Sequence, residues 1–246
     1  MGVGEVETVQ GLDTSRPHPA RVYDCWLGGK DNYAVDRAVA QQTVELAPET
    51  LRSVRDNRAF LHRAVRYLAE EVGIDQFIDI GSGLPTMENT HEVAQRYRSG
   101  ARVVYVDNDP VVFAHGNALL ATNGHTRVIQ ADLRDPDQIL GHREICSLID
   151  PGRPVAILLV AVLHFLGDAD DPYAIVARLR EAAAPGSHLV VSHLTGDCDP
   201  AKGREAVKIW ERARAAVVPT LRTRRQVEGL LDGLDVVDPG VVPIDD

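Results

Sequence analysis

Cysteine and lysine are both scarce in this chain, with three of each. The three cysteines, Cys25, Cys146 and Cys198, are far apart and form no CxxC pair. An odd, scattered set argues against a disulfide framework or a thiolate metal site, and predicts reduced thiols in a cytoplasmic protein with no bound metal. No apolar run reaches the ~20 residues of a membrane span. The longest, 155–163, is about half that length. The opening MGVGEVETVQ has neither a basic start nor an apolar stretch. No signal peptide is therefore expected, and Val6 breaks the myristoylation pattern. GxxxxGK[ST] does not occur, which excludes a P-loop ATPase. Lys+Arg 26 against Asp+Glu 36 leaves a net charge of −10. That balance suits neither phosphate neutralisation nor nucleic-acid binding. Arginine supplies nearly all the positive charge, a codon-composition bias. Most of Arg52, Arg55, Arg58, Arg63 and Arg66, with Arg222, Arg224 and Arg225, are assigned to solvated faces and acid pairing.

What is present suits a soluble globular protein. At 246 residues, with 44% hydrophobic and 25% charged, the chain predicts one domain with an appendage. Residues 1–15 read as a flexible polar tail. Residues 16–73 read as helix only, in pieces at 19–27, 33–46 and 49–72, broken at Gly28-Gly29 and Ala47-Pro48. In the third piece Leu51, Val54, Arg58, Leu61, Val65 and Leu68 recur at spacings of three and four, which buries one face. From 74 to 246 the pattern changes to strands alternating with helices. Strands are expected at 76–80, 102–106, 126–130, 155–163, 187–193 and 235–242. Helices are expected at 86–98, 110–121, 136–140, 144–149, 172–184, 200–217 and 224–231. Asp171-Pro172 is an N-cap with proline at the first position, and Thr223 with Gln226 fits a capping box. The alternation predicts an α/β fold with a doubly wound, mainly parallel sheet.

In such a sheet, ligands bind beyond the carboxyl ends of the strands, where strand order reverses. Gly81-Ser82-Gly83 follows the first strand and lets the backbone turn tightly against a ligand. Asp107 ends the second strand, where it can accept from both hydroxyls of a ribose. Asp132-Leu133 follows the third strand, where a carboxylate and a backbone N–H can meet an adenine. A capping role for each aspartate is the alternative. Pro85 and Thr86 replace the last residues of GxGxxG, so the loop fits a pyrophosphate poorly and an adenosyl ligand better.

The segments FIDIGSGLPT, RVVYVDNDP, VIQADLRDP and LLVAVLHFL, behind the prefix ARVYDCWLGGKDNYAVDR and NRAFLHRAVRYLA, carry a resemblance. From about 14 to 238 the chain resembles class I S-adenosylmethionine (SAM)-dependent methyltransferases. More narrowly, it resembles a bacterial family of them long kept as a domain of unknown function. The resemblance implies a Rossmann-like SAM-binding domain over 74–246 and a helical N-terminal lid over 16–73. It implies SAM as cofactor, with S-adenosylhomocysteine (SAH) as product. By it, Gly81, Ser82 and Gly83 wrap the methionine end, Asp107 holds the ribose, and Asn108, Asp132 and Leu133 border the adenine. Ala161 and Val162 flank the sulfonium. Arg21, Tyr23, Gly28, Lys30 and Tyr33 reach down from the prefix, and a cation among them pairs with the methionine carboxylate. Two departures stand out. Ala161-Val162-Leu163-His164-Phe165 replaces the acidic-aromatic motif of amino-methylating enzymes, and a seventh strand is missing or incomplete.

Methyl transfer needs alignment more than acid–base chemistry. If the acceptor is a hydroxyl, His164 is the first candidate base and His193 the second; the alternative for His164 is a structural histidine. The polar turn Gly28-Gly29-Lys30-Asp31-Asn32-Tyr33 reads as a ligand-facing lid, or else as a turn whose Asp31 or Asn32 caps the next helix. The expected function is methyl transfer to a small-molecule acceptor, with no nucleic-acid or membrane partner and with homo-oligomer formation open. A non-enzymatic SAM-binding regulator and an NAD-dependent oxidoreductase are the alternatives.

Overall fold

Five apolar runs become five parallel strands because each has a buried helix layer on both sides. A computed structural model describes residues 13–85, 88–120 and 123–244. The strands are β1 (Gln76–Ile80), β2 (Arg102–Asp107), β3 (Thr126–Gln130), β4 (Ala156–Val160) and β5 (His188–Ser192). Their spatial order is β3-β2-β1-β4-β5, all neighbours parallel. The helices are α1 (Pro19–Trp26), α2 (Ala34–Leu46), α3 (Thr50–Tyr67), α4 (Thr90–Tyr97), α5 (Pro110–Leu119), α6 (Pro136–Leu140), α7 (Arg143–Leu148), α8 (Pro172–Ala182), α9 (Pro200–Arg212) and α10 (Arg224–Gly229). A π-helical turn, Leu68–Val72, prolongs α3. This is the Rossmann-like fold of class I methyltransferases, entered through three helices.

Side chains alternate between the two faces of the sheet. Ile78, Ile80, Val104, Val106, Ile157 and Leu159 pack with Ile139, Ile145, Ile175 and Leu179 of α6, α7 and α8. Phe77, Val103, Tyr105, Ala156 and Leu158 pack with Leu61 and Val65 of α3, Leu68 and Ala69 after it, and Val93 and Ala94 of α4. Each fully buried large side chain contributes about 1.5–3 kcal/mol. A smaller cluster joins α1, α2 and α9 through Val22, Val39, Ala40, Ile209 and Trp210. In it Trp26 meets Trp210 edge to face at 6.4 Å, and its Nε1 donates to Ala40 O at 3.1 Å.

Several boundaries differ from expectation, each for a local reason. Residues 1–12 of the expected tail lie outside the described residues, as do 86, 87 and 121. The fourth run yields a strand only to Val160, because Ala161 turns to φ +57° and a 3₁₀ turn, Leu163–Phe165, follows. The helix expected from 86 starts at Thr90, where Asn89 and Glu92 form a capping box. The helix expected to 217 ends at Arg212, shortly before Arg214 at φ +51°. The strand expected at 235–242 does not form. Gly240 N–H closes a turn onto Val237 O at 2.9 Å, which cuts the run in two and leaves Val236, Val237 and Val242 exposed. Among the described residues the sheet therefore has five strands, with a single parallel bridge, Thr195 to Arg222, beyond the end of β5.

Candidate functional site

The strand order reverses between β1 and β4, and the chain turns sharply just beyond both. After β1, Gly81 and Ser82 donate their N–H groups to Val106 O at 2.8 and 3.2 Å. Gly81 has φ +73°, and a Cβ there would fall 2.3 Å from Val162 Cγ2, so conformation and contact both require glycine. Gly83 has φ +68°, but a Cβ there would meet nothing within 4 Å among the described residues. Its N–H donates to Asp107 Oδ2 at 2.9 Å, while Asp107 Oδ1 accepts from Asp109 N–H at 3.0 Å. Burial raises the Asp107 pKa above the ordinary carboxylate value, and these two N–H bonds pull against that. Asp109 caps α5 through Val111 N–H at 2.8 Å, and its Oδ2 lies 3.0 Å from His18 Nδ1. Burial works to raise its pKa, but His18, the Val111 N–H and Arg21 outweigh it and leave the value lowered.

Further along the strand ends, Asn108 Nδ2 donates to Asp132 Oδ2 at 3.2 Å, and Asp132 Oδ1 accepts from Arg134 N–H at 2.9 Å. Leu133 is buried beside them. Beyond β4, Ala161 N–H donates to Ser192 Oγ at 2.9 Å, and Val162 packs on Gly81. Glycine loop, strand-end acids and β4 turn thus join through direct contacts.

Two further residues stand at this place, and the sequence assigns neither a role toward a ligand. Arg58, the lone polar member of the apolar stripe on α3, is half-buried. It lines a narrow cleft with Asp79, Ser82, Gly83, Asn89 and Thr90. Its Nη2 donates to Glu88 O at 3.1 Å, and its buried Nε has no hydrogen-bond partner among the described residues. Asp79, on the α3 side of β1, accepts from Thr90 Oγ1 at 2.6 Å. Burial pushes its pKa up to about 6, against that hydrogen bond and the nearby Arg58. A polar residue within an apolar stripe and an acid within an apolar strand were the available signals.

The prefix residues are placed differently. Arg21 is buried, with Nη2 donating to Arg16 O at 2.8 Å and Nε 3.6 Å from both Asp36 and Asp109. Its guanidinium also stacks over Tyr33 at 5.3 Å. Tyr23 OH donates to Val54 O at 3.1 Å and accepts from Asn57 Nδ2 at 2.8 Å. Gly28 and Lys30 are exposed. The polar turn folds around buried Asp24, whose Oδ2 accepts from Asp31 N–H at 3.0 Å and Asn32 Nδ2 at 2.8 Å. A Cβ on Gly29 would fall 1.9 Å from Asp24 Oδ1. The cap of α2 is Tyr33, in a box with Asp36, rather than Asp31 or Asn32.

His164 is 3% exposed, and Leu194 N–H reaches its Nδ1 at 3.4 Å. Burial, with His193 and Arg222 nearby, lowers its pKa well below the usual value. His193 is similarly depressed, to about 4, chiefly by burial. Its Nδ1 bonds Leu194 O at 2.6 Å and its Nε2 bonds Arg222 Nη1 at 3.1 Å. Arg222, from the arginine clusters expected mostly on solvated faces, is instead 1% exposed and donates to Leu163 O, Leu166 O and Asp168 Oδ1 at 2.9–3.2 Å. Among the described residues no cluster of His, Cys, Asp or Glu could hold a metal ion, and no helix is long and apolar enough to cross a membrane.

The sheet order, the glycine turn and the strand-end carboxylates define a class I, Rossmann-like methyltransferase. The family model described as S-adenosyl methyltransferase matches residues 5–246, and the chain belongs to that family. A crystal structure of a protein from Thermobifida fusca YX is 45% identical with a TM-score of 0.90, covering 98% of this chain and 89% of that one. A DUF574 family protein from Streptomyces avermitilis MA-4680 is 39% identical with a TM-score of 0.90, covering 94% and 88%. No curated protein matches the chain. The family's activity is SAM-dependent methylation, and SAM is the cofactor.

Proposed function

We propose that the chain transfers a methyl group from SAM to a small-molecule acceptor, with the cofactor held across the ends of β1 to β4. When bound, SAM supplies an electrophilic methyl carbon on a sulfonium. Gly81, Ser82 and Gly83 bind the amino-acid end, and Arg58 takes its carboxylate. Asp107 accepts from the ribose hydroxyls, and Asn108, Asp132 and Leu133 border the adenine. Ala161 and Val162 border the reacting end. The observation that carries this reading is the lock of Gly83 N–H on Asp107, at a turn where a Cβ on Gly83 meets nothing within 4 Å among the described residues. Arg58, a cation that lines the adjoining cleft and whose buried Nε has no hydrogen-bond partner among the described residues, supports it. Asp79 offers a carboxylate for the ligand's ammonium group. Arg21, Tyr23 and Tyr33 serve the helical segment rather than the cofactor, because their polar or aromatic faces are engaged there.

His164 and His193 fit a structural role better than that of a base. Both are neutral near pH 7, but the two nitrogens of His193 are engaged and the His164 ring is buried. The chemistry left to the protein is alignment and exclusion of water. A net charge of −10 and the helices packed beside the site favour a small acceptor over a nucleic acid.

Calorimetric titration with SAM and SAH, with NAD as comparator, tests the site. Saturable binding of both sulfur ligands with NAD silent is expected, and Asp107→Ala should abolish it with the circular dichroism unchanged. Undiminished binding in that variant removes the ribose assignment. Release of SAH with a panel of small hydroxyl, amine and thiol acceptors then separates an enzyme from a SAM-binding regulator.

A further inference from the structure

One hydrogen-bonded chain crosses from the helical segment to the β4 turn. Ala161 N–H donates to Ser192 Oγ at 2.9 Å, and Ser192 Oγ donates to Asn57 Oδ1 at 2.6 Å. Asn57 Nδ2 donates to Tyr23 OH at 2.8 Å, and Tyr23 OH donates to Val54 O at 3.1 Å. The first donor is a backbone N–H and the last acceptor a backbone carbonyl. Every hydroxyl and the amide between them therefore has one orientation that satisfies all four bonds.

The chain ends on a conformation that needs support. Ala161 has φ +57°, a region in which a residue with a Cβ is strained. Its setting decides where Val162 lies, and Val162 lies where a Cβ on Gly81 would be. The contacts run without a gap from Tyr23 on α1 and Asn57 on α3, through Ser192 on β5 and the β4 turn, to the glycine loop. Arg58, the next residue on α3, lines a cleft with Ser82 and Gly83 of the same loop.

We propose that Asn57 and Ser192 are positioning residues: they hold Ala161 in its left-handed turn and so couple docking of α1 and α3 to the shape of the glycine loop. This rests on the cofactor reading above for its effect on binding, but not for its effect on the turn. Neither residue need touch the ligand.

The test is a double-mutant cycle. Ser192→Ala and Asn57→Ala should each weaken SAH binding about tenfold by calorimetry. Ser192→Thr, which keeps the hydroxyl, should restore it. Glycine adopts positive φ freely, so Ala161→Gly should recover most of the affinity lost in Ser192→Ala. Hydrogen exchange of the peptide spanning Ala161 should quicken in Ser192→Ala and in Asn57→Ala. Losses that simply add in the double mutant, or a lower melting temperature with unchanged SAH affinity, would overturn the proposal. If the wild type binds no SAH, the cofactor reading fails. The exchange experiment then still decides: unchanged exchange at Ala161 in both variants rejects the coupling, and faster exchange supports it.

Discussion

Arg58 and Arg222 look alike in the sequence, as members of arginine-rich stretches, yet both are turned inward. By contrast Arg52 and Arg66 pair with Asp56 and Glu70 at i,i+4 on the surface, as expected. The positions of the strand-end acids were legible because the apolar runs place Asp107 at the end of β2 and Asp132 just past β3. Arg58, Asn57 and Ser192 were not, because their partners lie on other elements and only packing brings them together. Asp79 has a consequence that can be measured. Below about pH 3.8 it is protonated in both folded and unfolded chains. Between 3.8 and about 6 the unfolded chain has lost the proton and the folded chain keeps it, so folding takes up a proton. Its contribution to stability therefore falls as pH rises through that window, by up to about 3 kcal/mol, and is level above it. Asp109 acts in the opposite sense, because its lowered pKa contributes stability that is lost in acid. Asp79→Asn should be more stable than the wild type at pH 7 in denaturant titrations, with the difference shrinking towards pH 4. A difference independent of pH would contradict the assignment.

The elements of the sheet were legible from their apolar runs, since parallel strands covered on both faces read as continuous hydrophobic stretches. The ends of elements were less so. An apolar run cannot report that its chain turns left-handed at Ala161, and the valines of 235–242 cannot report the turn between them. The two glycines of the β1 turn make the point experimentally. Both have positive φ, but only Gly81 has a neighbour in the way. Gly81→Ala should cost about 2–4 kcal/mol, from strain and overpacking against Val162. Gly83→Ala should cost about 1–2 kcal/mol, from strain alone, while weakening SAH binding by placing a Cβ against the ligand. Equal stability losses in urea titrations would show that crowding at Val162 is relieved elsewhere.

Over the whole molecule, the helical segment and the sheet share a core. Leu61, Val65, Leu68 and Ala69 cover Phe77, Val103, Ala156 and Leu158, so α3 belongs to the layer on that face. A chain beginning at Gly73 would present that face to water. It should bind a hydrophobic dye and lose near-ultraviolet circular dichroism while keeping much of its far-ultraviolet signal. A truncated chain with native near-ultraviolet spectra would show the segment to be dispensable. The tryptophan pair adds something practical. The chain has only two tryptophans, and they meet edge to face where the helical segment meets α9. Intrinsic emission therefore samples that seam and little else. The protein carries its own optical gauge there, so a cofactor or acceptor that shifts the helices against α9 changes the emission without any label being attached.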